Sequence, residues 1–147
     1  MGATNSTRVD DVGVVDTWER LRSDPGALLV DVRTRAEWAF VGLPDLGQLA
    51  KRPLLVEWQT FPDNREDAQF AERLGAALTE AGAKSDADIY FICRSGSRSR
   101  RAAMTMVAAG FNNCHNVADG FEGPLDPDHH RGRLAGWKAA GLPWAQG

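Results

Sequence analysis

The residues of this sequence most suited to chemistry occupy positions 93–99, which read Cys-Arg-Ser-Gly-Ser-Arg-Ser. They follow the apolar stretch 89–92, which predicts a strand, and they precede a stretch of helical periodicity. A cysteine at the start of such a loop is directed at the N-terminal end of the helix. Unpaired backbone N–H groups and the positive end of the helix dipole favour a thiolate there. We therefore predict that Cys93 is a nucleophile.

The other members of this loop predict an anion-binding site around the sulfur. The arginines supply positive charge, the glycine lets successive backbone N–H groups converge, and the serines add hydroxyl donors. An ordinary buried thiol is the alternative for a lone cysteine, but it leaves these neighbours unexplained. The candidate substrate-binding residues are Arg94, Ser95, Gly96, Ser97, Arg98 and Ser99.

The elements around this loop predict an α/β domain. Apolar runs predict strands at residues 28–32, 54–56, 89–92 and 114–117. Helical spacing predicts a helix capped by Asp16, a short helix from Thr34, and a helix at 65–81. It also predicts a helix whose buried face spans 102–107 and a short final helix at 134–141. Alternating strands and helices predict a mostly parallel central sheet with helices on both faces. Ligands of such folds bind beyond the carboxyl ends of the strands, where Cys93 is placed.

Composition restricts the class of protein. The chain has 147 residues, 43% of them hydrophobic and 25% charged, which is typical of one globular domain. We assign residues 11–147 to that domain and residues 1–10 to a flexible polar lead-in. The net charge of −3 argues against a nucleic-acid partner, and no apolar run approaches the ~20 residues of a membrane span. The 2 cysteines indicate a reducing, cytoplasmic location.

Metal binding is not expected from this sequence. Cys114 with His115, and His129 with His130, lack the spacing of known metal sites. We expect Cys114 to be a buried, inert thiol on a strand.

The sequence resembles single-domain rhodanese-like sulfurtransferases over most of its length. The matching segments are 29–33 (Leu-Val-Asp-Val-Arg), 37–38, the loop 93–99, 110–111, 116–117, 120–123, 136–137 and 140–143. The resemblance implies that Cys93 takes a sulfane sulfur, becomes a persulfide surrounded by backbone amides, and passes the sulfur to a nucleophile. It also implies a supporting role for Asp31 and no cofactor. The implied partners are a small anionic donor such as thiosulfate and a thiol or cyanide acceptor, with a protein acceptor as a further candidate.

One segment departs from the family pattern. Members commonly have Gly-His-Ile-Pro-Gly-Ala after their Glu-Phe or Glu-Trp, whereas residues 41–46 here read Val-Gly-Leu-Pro-Asp-Leu. Residues 54–61 are also unusual. If residues 41–61 form a rim of the pocket, we expect the acceptor side to differ from that of better-known relatives.

Two other functions remain open at the level of sequence. Cysteine phosphatases and arsenate reductases can share this fold, but they typically place five residues between the cysteine and the clamping arginine. That position is Ser99 here, and Arg98 comes one residue too early. A non-catalytic binding or sulfur-carrier module is the second alternative; the usual sign would be loss of the loop cysteine, and Cys93 is present.

Overall fold

The computed structural model describes residues 9–146. Residues 1–8 of the predicted lead-in lie outside the described residues, and Asp10 begins the first strand. No helix within residues 9–146 is long and apolar enough to cross a membrane.

The fold is a parallel sheet with helices on both faces, as the sequence predicts. The strands are β1 (Asp10–Val12), β2 (Leu28–Asp31), β3 (Leu43–Pro44), β4 (Leu54–Leu55), β5 (Gln59–Thr60), β6 (Arg65–Glu66), β7 (Asp88–Ile92), β8 (Asn113–Val117) and β9 (Trp144–Ala145). The helices are α1 (Val14–Ser23), α2 (Arg35–Phe40), α3 (Phe70–Glu80) and α4 (Ser97–Ala108), with a short 3₁₀ helix at Gly47–Leu49. Five of the strands form the central sheet in the order β1-β8-β7-β2-β4, and all of its neighbours are parallel. The remaining strands form two small antiparallel pairs, β3 with β9 and β5 with β6.

The central strand β7 contributes to a core on each side of the sheet. Phe91 belongs to one buried cluster with Leu74 of α3 and Met106 of α4. The next residue, Ile92, belongs to the opposite cluster with Leu21 of α1. Side chains alternate between the faces of a strand, so a strand covered on both faces reads as a continuous apolar run. Burial on both sides fixes the end of β7, from which the loop with Cys93 leaves.

Two predicted helices begin elsewhere than the sequence suggests. The helix expected from residue 65 begins only at Phe70, because Arg65–Glu66 pairs with Gln59–Thr60 in an antiparallel hairpin. The first helix begins at Val14 with Gly13 as its N-cap, so Asp16 lies in the first turn instead of capping it. An acidic residue still interacts favourably with the helix dipole at that place.

The predicted helix at residues 134–141 is wrong. The chain forms turns there, and Gly136 and Gly141 adopt positive φ angles of 102° and 75°. The backbone N–H of Trp137 donates to the carbonyl of Gly120 at 2.9 Å, which ties this segment to the turn after β8. Local hydrogen bonds such as Ala140 N–H to the Gly136 carbonyl form isolated turns here, and they do not continue into a helix.

Candidate active site

Cys93 lies directly after β7, facing the N-terminus of α4, and is only 1% exposed. Its Sγ accepts a hydrogen bond from the backbone N–H of Gly96 at 3.1 Å and lies 3.2 Å from the Oγ of Ser99. Gly96 is the N-cap of α4 and has a φ of +115°, a conformation that glycine adopts without strain. A sulfur anion at this position is stabilised by the Gly96 N–H and by the helix dipole, and the Ser99 hydroxyl lies within donating distance of it.

The Ser99 hydroxyl is held by a buried network that reaches the edge strand β1. Its Oγ lies 2.5 Å from Oδ1 of Asn116, and Nδ2 of Asn116 donates to Asp11 at 2.9 Å. Ser99 is fully buried and Asn116 is 3% exposed. Because the hydroxyl carries one proton, Oδ1 of Asn116, the Gly96 carbonyl at 3.2 Å and the Cys93 sulfur compete for it. Asn116 was not predicted as a site residue, since it lies 17 positions after Ser99 and no local spacing connects them.

Arg98 is engaged by a carboxylate. Its two terminal nitrogens lie 2.8 and 2.9 Å from the two oxygens of Glu37 on α2, and Glu37 also closes a capping box with Thr34. Burial alone would raise the pKa of Glu37, but the hydrogen bonds and charge of Arg98 outweigh it and lower that pKa. Burial disfavours the charged form of Arg98 too, and the contact with Glu37 outweighs it and raises the Arg98 pKa. Arg98 therefore braces the first turn of α4.

Arg94 is placed differently, with an exposed side chain. It lines a cleft of about 620 Å³ together with Phe40 at the end of α2 and with Gln59, Phe61 and Asn64 of the β5–β6 hairpin. The segment 41–61, which differs from the family pattern, thus contributes residues to the rim of this cleft. Among the predicted loop residues, Arg94 is the arginine whose side chain is open to solvent.

Ser95 and Ser97 are exposed on another side of the loop. They line a second cleft of about 570 Å³ with Gly96 and Asn116. The structure thus brings Gly96 and Ser99 to the sulfur, and it places Ser95 and Ser97 at the surface around the helix start.

Asp31 contacts Arg33 and not the Cys93 sulfur. Both side chains are fully buried, and Arg33 donates to the two carboxylate oxygens of Asp31 at 2.9 and 2.7 Å. The same guanidinium donates to the carbonyl of Gly42 at 2.8 Å and lies 4.3 Å from the ring centroid of Phe121. Asp31 therefore acts through Arg33, which fixes the backbone after α2. We did not single out Arg33 from the sequence, although it is part of the matching segment 29–33.

The carbonyls of the loop pack against the turn after β8. The backbone N–H of Phe121 donates to the Cys93 carbonyl at 2.8 Å, and those of Glu122 and Gly123 donate to the Arg94 carbonyl at 3.0 and 3.1 Å. A Cβ atom at Gly120 would lie 2.5 Å from the Cys93 carbonyl oxygen, so no larger residue fits. The segment 120–123 therefore sets the path of the loop.

Cys114 is buried in β8 as the sequence predicts, and burial raises its pKa to about 12. His129 and His130 are exposed. In the part of the chain that the structure describes, no group of three His, Cys, Asp or Glu side chains is placed to hold a metal ion.

Known proteins are similar to this chain in architecture and in sequence. A crystal structure of Rv0390 from M. tuberculosis superposes with a TM-score of 0.82 at 43% identity, covering 95% of this chain and 98% of that one. The uncharacterized protein RP600 homolog of Rickettsia rickettsii is 37% identical over 92% of this chain and 97% of its own length. The family model described as the STR4 middle domain matches residues 11–147. The chain belongs to the rhodanese-like family. The family resemblance found in the sequence is thus confirmed for this rhodanese-like domain. Thiosulfate sulfurtransferase 18 of Arabidopsis thaliana is 28% identical to it over 80% of this chain and 82% of that protein.

Proposed function

We propose that this rhodanese-like domain transfers a sulfane sulfur from a donor such as thiosulfate to a thiol or cyanide acceptor through a persulfide on Cys93. The observation that carries the proposal is the surrounding of the Cys93 sulfur: a backbone N–H at 3.1 Å, a hydroxyl at 3.2 Å and the N-terminus of α4. Such donors stabilise the thiolate that attacks and the persulfide anion that results. Sulfurtransferase names among its relatives support the same reaction class.

The reaction consists of two displacements. The Cys93 thiolate attacks the outer sulfur of thiosulfate, a new sulfur–sulfur bond forms, and the old one breaks as sulfite leaves with the electron pair. A nucleophile then attacks the outer sulfur of the persulfide. With cyanide the products are thiocyanate and the original Cys93 thiolate. No net oxidation or reduction of the protein occurs over the cycle, so the reaction needs no cofactor.

We propose that the exposed Arg94 binds the anionic sulfur donor. Arg98 is bound to Glu37 through both terminal nitrogens, so its contribution to donor binding is indirect. Phosphate transfer is the weaker candidate, because both arginines next to the expected clamping position are paired with carboxylates, Arg98 with Glu37 and Arg100 with Asp11. We also keep the prediction of a cytoplasmic location, which rests on the 2 cysteines.

Intact-protein mass spectrometry tests the proposal. Incubation with thiosulfate should add the mass of one sulfur atom, and cyanide should remove it. Cys93→Ser should take up no sulfur, whereas Cys114→Ser should load as the wild type does. Sulfur uptake by Cys93→Ser, or none by the wild type, would contradict the proposal.

A further inference from the structure

The position of the Ser99 hydroxyl proton decides what the Cys93 sulfur receives from that side chain. Three acceptors surround this proton: Oδ1 of Asn116 at 2.5 Å, the Gly96 carbonyl at 3.2 Å and the Cys93 sulfur at 3.2 Å. The Gly96 carbonyl also accepts the backbone N–H of Arg100 at 3.3 Å. Ser99 and Asn116 are both buried, and a buried polar atom left without a hydrogen bond is costly.

The amide of Asn116 is oriented by Asp11 on the neighbouring strand β1. Nδ2 of Asn116 lies 2.9 Å from Oδ1 of Asp11, and the two residues are partners in the register of β1 and β8. A carboxylate only accepts hydrogen bonds, so the NH₂ group of the amide must face Asp11 and the carbonyl oxygen must face Ser99. Arg100 on α4 pairs with the same carboxylate and holds it in place.

This orientation of Asn116 determines the direction of the Ser99 hydroxyl. An amide oxygen only accepts, so Ser99 is the donor in their 2.5 Å contact. The Ser99 oxygen then presents lone pairs to the sulfur of Cys93, which suits a thiol S–H better than a thiolate. To donate to a thiolate, the hydroxyl must turn and leave the buried Asn116 oxygen without a donor.

We propose that Asn116, held by Asp11, is a positioning residue that directs the Ser99 hydroxyl proton away from the Cys93 sulfur and thereby limits how far the loop stabilises the thiolate. The Gly96 N–H and the N-terminus of α4 remain as the groups that stabilise the anion. A less stabilised thiolate is a stronger nucleophile, so the network lowers the thiolate fraction and raises the reactivity of each thiolate. The inference rests on the proposed role of Cys93 as the nucleophile.

The test is a pH titration of the Cys93 thiol in the full-length protein, followed by the ultraviolet absorbance of the thiolate. Each variant is compared with its own Cys93→Ser form, which subtracts the other titrating groups. Asp11→Ala lets the Asn116 amide turn its NH₂ group toward Ser99, so that the hydroxyl donates to the sulfur. We expect the midpoint to fall by about one pH unit, or about tenfold in the ionisation equilibrium. Asp11→Asn keeps an acceptor oxygen for the amide and should restore the wild-type midpoint.

Asp10→Ala is the matched control for the loss of a negative charge. Asp10 precedes Asp11 on β1, the two side chains are 59% and 53% exposed, and Asp10 contacts His115. This variant should keep the wild-type midpoint. The charged side chains of α4 and β2 that neighbour the Cys93 loop are Arg98 and Asp31, each held in an ion pair, and they are the same in every variant.

Two further variants test the pathway through the hydroxyl. Asn116→Leu removes the competing acceptor itself and should lower the midpoint as Asp11→Ala does. In a Ser99→Ala background the hydroxyl is absent, so Asp11→Ala should no longer shift the midpoint. An unchanged or higher midpoint in both Asp11→Ala and Asn116→Leu, an equal shift in Asp10→Ala, or a shift that persists in the Ser99→Ala background would overturn the inference.

Sulfur uptake from thiosulfate provides a second readout that structural damage alone would not produce. A thiolate of lower basicity reacts more slowly but is more abundant at low pH. Relative to Asp10→Ala, Asp11→Ala should therefore take up sulfur about threefold faster below both midpoints and about threefold slower above them. Slower uptake at every pH would contradict the positioning role. Absence of sulfur uptake by the wild type would instead refute the proposed function, and the titration would still decide the direction of the hydroxyl.

Discussion

Arg98 and Glu37 are 61 positions apart in the sequence and form a bidentate ion pair that joins the first turn of α4 to α2. Their side chains are 13% and 21% exposed, so solvent screens the contact only partly. The pair connects the helix that follows the Cys93 loop with the helix that ends in Phe40, on the rim of the cleft beside Arg94. It therefore links the loop of the proposed nucleophile to one wall of that cleft.

Arg98→Ala should lower activity with every sulfur donor by a similar factor. It also leaves the partly buried Glu37 without its partner, so the free energy of unfolding should fall by about 2 kcal/mol. Chemical denaturation and assays with thiosulfate and an uncharged persulfide donor measure both effects. Arg22→Ala is the control, since its pair with Glu19 is exposed and should contribute little. A loss confined to thiosulfate would instead assign Arg98 to donor binding.

The same pair predicts sensitivity to acid. The pKa of Glu37 is lowered in the folded protein, so its contribution to stability is complete above its ordinary value of 4.5. The contribution is lost as the pH falls through the lower pKa of the folded state, because the protonated carboxyl no longer pairs with Arg98. The difference in unfolding free energy between the wild type and Glu37→Gln should therefore shrink in acid. A difference independent of pH would show that the carboxylate charge is not what stabilises this contact.

Arg94→Ala should separate donors by charge. The exposed Arg94 guanidinium can approach a thiosulfate dianion, and a partly screened charge–charge contact is worth ~1–2 kcal/mol. We expect kcat/KM for thiosulfate to fall roughly tenfold, with a smaller change for an uncharged donor. Added salt should slow the wild type with thiosulfate more than it slows the variant. Equal losses with both donors would remove Arg94 from donor recognition.

The two cysteines should differ in reactivity. Burial raises the pKa of Cys114 to about 12, so this thiol is protonated at neutral pH and should resist alkylation in the folded protein. Both thiols are buried, but hydrogen-bond donors face the Cys93 sulfur, so we expect iodoacetamide to modify Cys93 faster than Cys114 in the native state and both at similar rates after unfolding. Peptide mapping by mass spectrometry identifies the modified residue. Native labelling of Cys114 at a comparable rate would show that β8 opens readily.

Gly120→Ala should disturb the Cys93 loop from outside it. Gly120 has a φ of +63°, and an added Cβ would contact the carbonyl oxygens of Cys93 and Arg94 at 2.5 and 2.6 Å. Backbone strain of this kind costs ~1–3 kcal/mol, and sulfur transfer should fall with it. Gly75→Ala in α3 is the control, because nothing lies within 4 Å of the position that a Cβ would take there and alanine favours helix. It should be neutral or stabilising by thermal denaturation, and an equally mild Gly120→Ala would contradict the role of this glycine.

The Cys93 loop and the central sheet could be predicted from the sequence because both depend on local patterns. The apolar run before Cys93 and the glycine and arginines after it are contiguous. The partner of Arg98 could not be predicted, since helical spacing places Glu37 on its own helix without indicating what that helix faces. Asn116 was missed for the same reason: its contact with Ser99 depends on β8 lying beside β7 in the sheet.

Two errors in the predicted helices, the early start at residue 65 and the helix at 134–141, have the same physical cause. The predicted helix includes residues 65–69, but Arg65 and Glu66 pair with Gln59 and Thr60 as an antiparallel hairpin. Residues 134–141 also read as a helix, yet the close approach of Gly136 to Gly123, where a Cβ at Gly136 would lie 2.9 Å from the Gly123 nitrogen, requires an irregular path. Tertiary contacts override weak local preferences at both places.

The anchoring of the loop carbonyls by residues 120–123 affects the entropy of the proposed reaction. The backbone around Cys93 loses its conformational freedom when the protein folds, so binding of a donor does not have to order it again. Preorganised donors also need no reorientation when the negative charge on the protein shifts from the Cys93 thiolate to the outer sulfur of the persulfide. The same preformed loop can therefore hold the Cys93 thiolate and the Cys93 persulfide. The two half-reactions can then alternate without opening of the loop between them.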